Sequence, residues 1–89
     1  MAETKPGIKV EIFGNEYRIK GQADAEYVRK VAAYVDEKMR QIAQMSATGA
    51  VSKIAILTAI NIADELFRER LERQHAAEEL SKRLEQIGD

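Results

Sequence analysis

The sequence predicts an α+β chain: an N-terminal β-hairpin, one amphipathic helix, then a long C-terminal helix forming a coiled coil in an oligomer. Three observations predict it. Apolar and charged residues alternate on either side of Gly14-Asn15. A stripe of apolar residues then recurs every three or four positions from Val28 to Ile42. Finally, no proline or glycine interrupts the chain between Ser52 and Gly88, and the first half of that run is apolar around more than one face.

Residues 1–7 read as a disordered lead-in closed by Pro6-Gly7. Ile8, Val10 and Ile12 alternate with Lys9 and Glu11, the period-2 pattern of a half-buried strand. Gly14-Asn15 suits positive φ and a tight turn. Tyr17 and Ile19 alternate with Arg18 and Lys20 in a second strand that stops at Gly21. A two-stranded hairpin is marginal in water, so its apolar face needs a cover.

The first helix supplies that cover. Asp24 is the expected N-cap, and Glu26 in the first turn complements the helix dipole. Val28, Val31, Ala32, Val35, Met39 and Ile42 form one stripe roughly 120° wide. Glu26–Lys30 and Asp36–Arg40 are i,i+4 pairs on the wet side. Tyr27 and Tyr34 flank the stripe as boundary residues with wet hydroxyls. SATG, from Ser46 to Gly49, is a loop signal that closes a hairpin-plus-helix head over residues 8–50.

The second helix starts near Ser52 and runs for about 36 residues, roughly 54 Å at 1.5 Å per residue. A domain of this size is too small to contain it, so it is expected to project. It divides into an apolar part, 51–67, and a charged extension, 68–89. In the apolar part Ala55, Ala59, Ile62 and Leu66 make one stripe, and Ile56, Ile60, Ala63 and Phe67 make a second beside it. The head can cover only one. Leaving Ile56, Ile60 and Phe67 in water would forgo about 1.5–3 kcal/mol each, which a domain stable by about 5–15 kcal/mol cannot ignore. A ligand pocket would need convergent polar groups that this stripe lacks. The second stripe is therefore read as an interface with a copy of the chain or another chain. Asn61, inside this region, reads either as a satisfied amide or as a residue that sets helix register. In the extension, Leu71, Ala77, Leu80, Leu84 and Ile87 leave a thin seam for a partner helix.

Composition narrows the function classes. A third of the residues are charged, yet 14 Lys and Arg against 15 Asp and Glu leave a net charge of −1. That balance gives no broad attraction to nucleic acid or anionic lipid. Without cysteine there is neither a disulfide nor a thiolate metal site, which fits the cytosol. The N-terminal residues lack the apolar run of a signal peptide, and no segment has the length of a membrane span. Enzyme chemistry finds no foothold. His75 is the sole histidine and sits among charges, Asp64-Glu65 and Glu78-Glu79 are adjacent and diverge on a helix, and no phosphate loop or metal-ligand cluster is present. Ser52 and Thr58 read as a helix cap and a helix surface residue. Ribbon-helix-helix DNA binders have a single strand and short helices, unlike this chain.

The hairpin VEIFGNEYRI, the segment YVDEKMRQI and above all KIAILTAINIADEL resemble the ZapA family of small bacterial cell-division proteins, in its shorter form. The resemblance covers about Ile8 to Phe67, with a charged helix following in the expected place. It implies a head of hairpin and first helix, a long helix in antiparallel coiled coils, and head dimers joined tail to tail as tetramers. It also implies binding to FtsZ, the tubulin-like GTPase of the division ring, and bundling of its filaments in the cytoplasm at the division site. No catalysis, cofactor, metal, small-molecule substrate or membrane contact is implied. Ile56, Ile60, Ala63 and Phe67 then become candidates for the dimer interface, and Leu71, Leu80, Leu84 and Ile87 for coiled-coil pairing. Arg18, Lys20, Lys38, Arg40 and Lys53 could face FtsZ, though each also reads as an ordinary solvated charge. The alternative is a homo-oligomeric coiled-coil adaptor for another partner, such as nucleic acid.

Overall fold

The computed structural model describes residues 7–21, 24–47 and 49–87 of the 89-residue chain. Most of the predicted lead-in lies outside the described residues, but Gly7 does not. It is half-buried, and a Cβ at this position would stand 2.9 Å from the Ile19 carbonyl oxygen, so close passage beside β2 requires glycine.

Strand β1 (Ile8–Ile12) pairs antiparallel with β2 (Asn15–Ile19), with Val10 opposite Tyr17 and Ile12 opposite Asn15. The turn is therefore Phe13-Gly14, one residue earlier than Gly14-Asn15. Both residues take positive φ, 51° at Phe13 and 82° at Gly14, as a two-residue type I′ loop requires. Asn15, chemically better suited to positive φ than phenylalanine, instead closes the ladder.

Helix α1 (Ala25–Met45) follows. Asp24 occupies the N-cap position and its carbonyl accepts from the Val28 N–H at 3.0 Å, but its side chain makes no cap hydrogen bond. Helix α2 runs unbroken from Val51 to Ile87. Its first bond is from the Ile54 N–H to the Ala50 carbonyl, so Ser52 lies inside the helix and is not its cap.

By backbone contacts the chain divides into two compact units, Met1–Thr58 and Ala59–Asp89. In the first, Val10, Val28 and Ala32 form the core, with Ile8, Ile12 and Ile19 packed against it. Met39, Ile54 and Thr58 are also buried there. The α1 stripe is narrower than expected: Val35 and Ile42 are half-buried, whereas Val31 is 45% exposed. The second unit is helical throughout its described residues, and none of them is fully buried.

Candidate functional site

Two surfaces carry the unusual features of this chain, and the first is on α2. A helix turns 100° per residue, so residues four apart share a face. In the first unit Ile54 and Thr58 face inward, at 2% and 3% exposure, and this leaves Ile56 61% exposed and Leu57 also exposed. In the second unit Ile60, Ala63, Leu66 and Phe67 are exposed, as is Asn61. All four residues expected at a dimer interface are thus unburied in the single chain. Further along, Leu71, Leu80, Leu84 and Ile87 are exposed as well. Soluble proteins tolerate scattered apolar side chains, and a sustained series of exposed ones along a single helix makes α2 the candidate site. Charges decorate it: Arg68 bonds to Asp64 at 2.8 Å, and the Arg70 guanidinium lies 5.6 Å from the Phe67 ring centre.

Thr58 corrects the sequence reading. It is buried rather than a surface residue, and its hydroxyl has no hydrogen-bond partner. Helical spacing from Ile54 carried the signal, since residues i and i+4 must share the inward face.

The second surface is the hairpin tip. Asp36, on α1, accepts a hydrogen bond from the Phe13 N–H at 2.7 Å, and Arg40 donates to its other oxygen at 3.0 Å. The Arg40 bond first, then the Phe13 N–H, holds the Asp36 carboxyl below the usual carboxylate range, while Asp36 raises the pKa of Arg40. A phenylalanine at positive φ is strained. The charge-assisted bond it donates to Asp36 satisfies its amide and favours that conformation. Sequence reasoning found the Asp36–Arg40 pair but missed the tie to Phe13, 23 residues away.

The candidate FtsZ-facing cations fall on three elements. Arg18 is on β2, and Lys20 directly follows it. Lys38 and Arg40 are on α1, and Lys53 is in the first turn of α2. Arg18, Lys20 and Lys53 are exposed; Lys38 is half-buried with its ammonium 5.5 Å from the Tyr34 ring centre, and Arg40 is held by Asp36. Among the described residues no group of three or more His, Cys, Asp or Glu could hold a metal ion, and no helix is long and apolar enough to cross a membrane.

A hairpin, one helix and a long second helix with most of its large apolar side chains exposed define a small hairpin-and-long-helix class of protein, without a metal-holding cluster among the described residues. The chain belongs to the ZapA family: the family model described as cell division protein ZapA matches residues 8–89. It is 39% identical over 83 residues to the cell division protein ZapA of Geobacillus sp. (strain WCH70), spanning 92% of this chain and 95% of that protein. Against ZapA of Bacillus thuringiensis (strain Al Hakam) the identity is 33% over 79 residues, 89% of either chain. A solved structure, a ZapA mutant dimer from Geobacillus stearothermophilus, matches with a TM-score of 0.64 and 35% identity, covering 91% of this chain and 95% of that one. The expected family and the hairpin–helix–long-helix fold are both borne out. The family is one of cell-division proteins rather than a known family of enzymes.

Proposed function

We propose that this chain is a non-enzymatic crosslinker of FtsZ filaments that promotes assembly of the division ring. It self-associates along α2, presents several heads, and acts in the cytoplasm at the division site. The observation that carries this reading is the series of uncovered apolar residues on α2, with Ile56 and Phe67 61% and 58% exposed in a chain of only 89 residues. Membership of a cell-division family and the dimeric state of the Geobacillus stearothermophilus ZapA mutant support it. Ile56, Ile60, Ala63 and Phe67 join two heads, and Leu71, Leu80, Leu84 and Ile87 pair the extensions into a tetramer. Asn61 sets the register between helices.

Multivalency is the mechanism. A single head binds FtsZ weakly, and linked heads engage neighbouring filaments at high effective concentration. Arg18, Lys20, Lys38, Arg40 and Lys53 supply an electrostatic contribution that is screened beyond about 8–10 Å at physiological salt.

The test is co-sedimentation with FtsZ and GTP, spun at a speed that leaves single filaments in solution. Crosslinking brings FtsZ into the pellet only with this protein present, and the protein pellets with it. Neither protein pelleting under polymerising conditions would reject the crosslinking role and leave an oligomeric adaptor for another partner. Raising salt should release the bound protein; affinity unchanged by salt would remove the five cations from the contact.

A further inference from the structure

Among the described residues β1 has a neighbour on one side only. With a two-residue loop, Ile12, Val10 and Ile8 exchange hydrogen bonds with β2, and Lys9 and Glu11 turn their backbone N–H and C=O to the open edge. That edge borders an open groove of about 290 Å³ between β1 and α1, floored by Val10 and Ala32. Open edges are usually protected by charges that repel a second strand. Here the edge strand reads IKVEI, which does the reverse. Turned antiparallel about Val10, it sets Lys9 opposite Glu11 of a second copy at both ends and Ile8 opposite Ile12.

The hairpin's own pairing sharpens this. On its charged face Lys9 stands opposite Arg18 and Glu11 opposite Glu16, two like-charge pairs of the kind that destabilise a ladder. The diagonal Lys9–Glu16 bridge, 3.5 Å long and largely exposed, offsets them only slightly. A second β1 would give each of Lys9 and Glu11 an opposite charge directly across. The helix wall of the groove repeats the symmetry in sequence: Arg29 and Asp36 lie equally far along the chain from the Ala32–Ala33 step.

We propose that the open edge of β1 pairs antiparallel with β1 of a second copy of this chain, centred on Val10, as a self-contact separate from the apolar residues of α2. Lys9 of each copy exchanges two backbone hydrogen bonds with Glu11 of the other. This goes beyond the crosslinking reading and does not depend on FtsZ.

Two measurements on the full chain test it. Lys9→Glu and Glu11→Lys singly place like charges across both pairs and should each weaken self-association by about tenfold. The double variant K9E/E11K restores opposite charges and should recover it, with circular dichroism confirming that all three fold. In parallel, amide hydrogen exchange at Lys9 and Glu11 should slow as protein concentration rises. Singles without effect, a double variant as weak as the singles, or exchange independent of concentration would each overturn the proposal. Protection that appears only on adding FtsZ would overturn it too, and would give the edge to a strand of that partner.

Discussion

In α1 the apolar stripe meets the hairpin. Val28 and Ala32 are buried in one cluster with Val10, and Met39 is buried further along. In α2, a helix of 37 residues against 21, only Ile54 and Thr58 are buried, and both lie before residue 59. Both helices carry Ile, Leu, Val and Ala at helical spacing, so composition alone does not separate them. What separates them is supply: the hairpin offers one apolar face, α1 takes it, and α2 is left with more apolar surface than the chain can cover. The difference teaches that α1 is stabilised within one chain, whereas most of α2 has its apolar side chains exposed there, which is what the proposed self-association would cover.

The largest effect should come from placing the same charge in each region. Val28→Asp buries an unpaired carboxylate in the head and should cost about 4 kcal/mol or more, unfolding it at any concentration. Ile60→Asp puts a carboxylate where the single chain is open to water and the proposed interface is not. Its loss should be one of association, so raising protein concentration restores helicity and melting temperature in the Ile60 variant and not in the Val28 variant. Circular dichroism melts over a hundredfold concentration range check this. If Ile60→Asp were as insensitive to concentration as Val28→Asp, the contrast between the helices would be wrong.

Further along α2, Leu80→Ala and Leu84→Ala each remove a side chain that is exposed in the single chain and that the proposed pairing would bury. Each should weaken self-association by about 1 kcal/mol, five- to tenfold, in sedimentation equilibrium. Head folding should be untouched. A smaller effect is expected at the hairpin tip. The lowered pKa of Asp36 means its contribution to stability is present above the unfolded value of about 3.9 and is lost as pH falls through the folded one. Asp36→Asn should therefore melt below the parent chain at pH 7, and the gap should close as the pH falls through the lowered folded value. A gap constant across that range would show that the charge on Asp36 does not hold Phe13.

These contrasts also mark what the sequence could tell. Strand and helix identities were legible because period 2 around Val10 and period 3.6 around Ala32 are local patterns, and each strand or helix contains its own signal. The surplus on α2 was legible by counting stripes against available faces. The turn was not. Gly14-Asn15 has the better local chemistry, but the ladder takes Phe13-Gly14, with Phe13 held at positive φ by a carboxylate 23 residues away. Val31 went wrong for a related reason, since a two-stranded hairpin is too narrow to cover the full width of a 120° stripe. The family resemblance was legible in KIAILTAINIADEL, where likeness to a known family rather than physics carries the identification.

Thr58 offers the sharpest test of the comparison. Its side chain lies on the one face of α2 that the single chain covers, yet it brings a hydroxyl with no hydrogen-bond partner. An unsatisfied buried hydroxyl has lost its water without compensation. Thr58→Val keeps the shape, removes the hydroxyl and should stabilise the head by about 1 kcal/mol, raising its melting temperature by roughly 4–8 °C for a domain this small. Because the gain belongs to the covered face, it should be the same at every protein concentration, unlike the losses at Ile60 and Leu80. A fall in melting temperature that deepens with dilution would mean instead that the hydroxyl is satisfied across the interface. Thr58 would then belong to the part of α2 that a second chain completes.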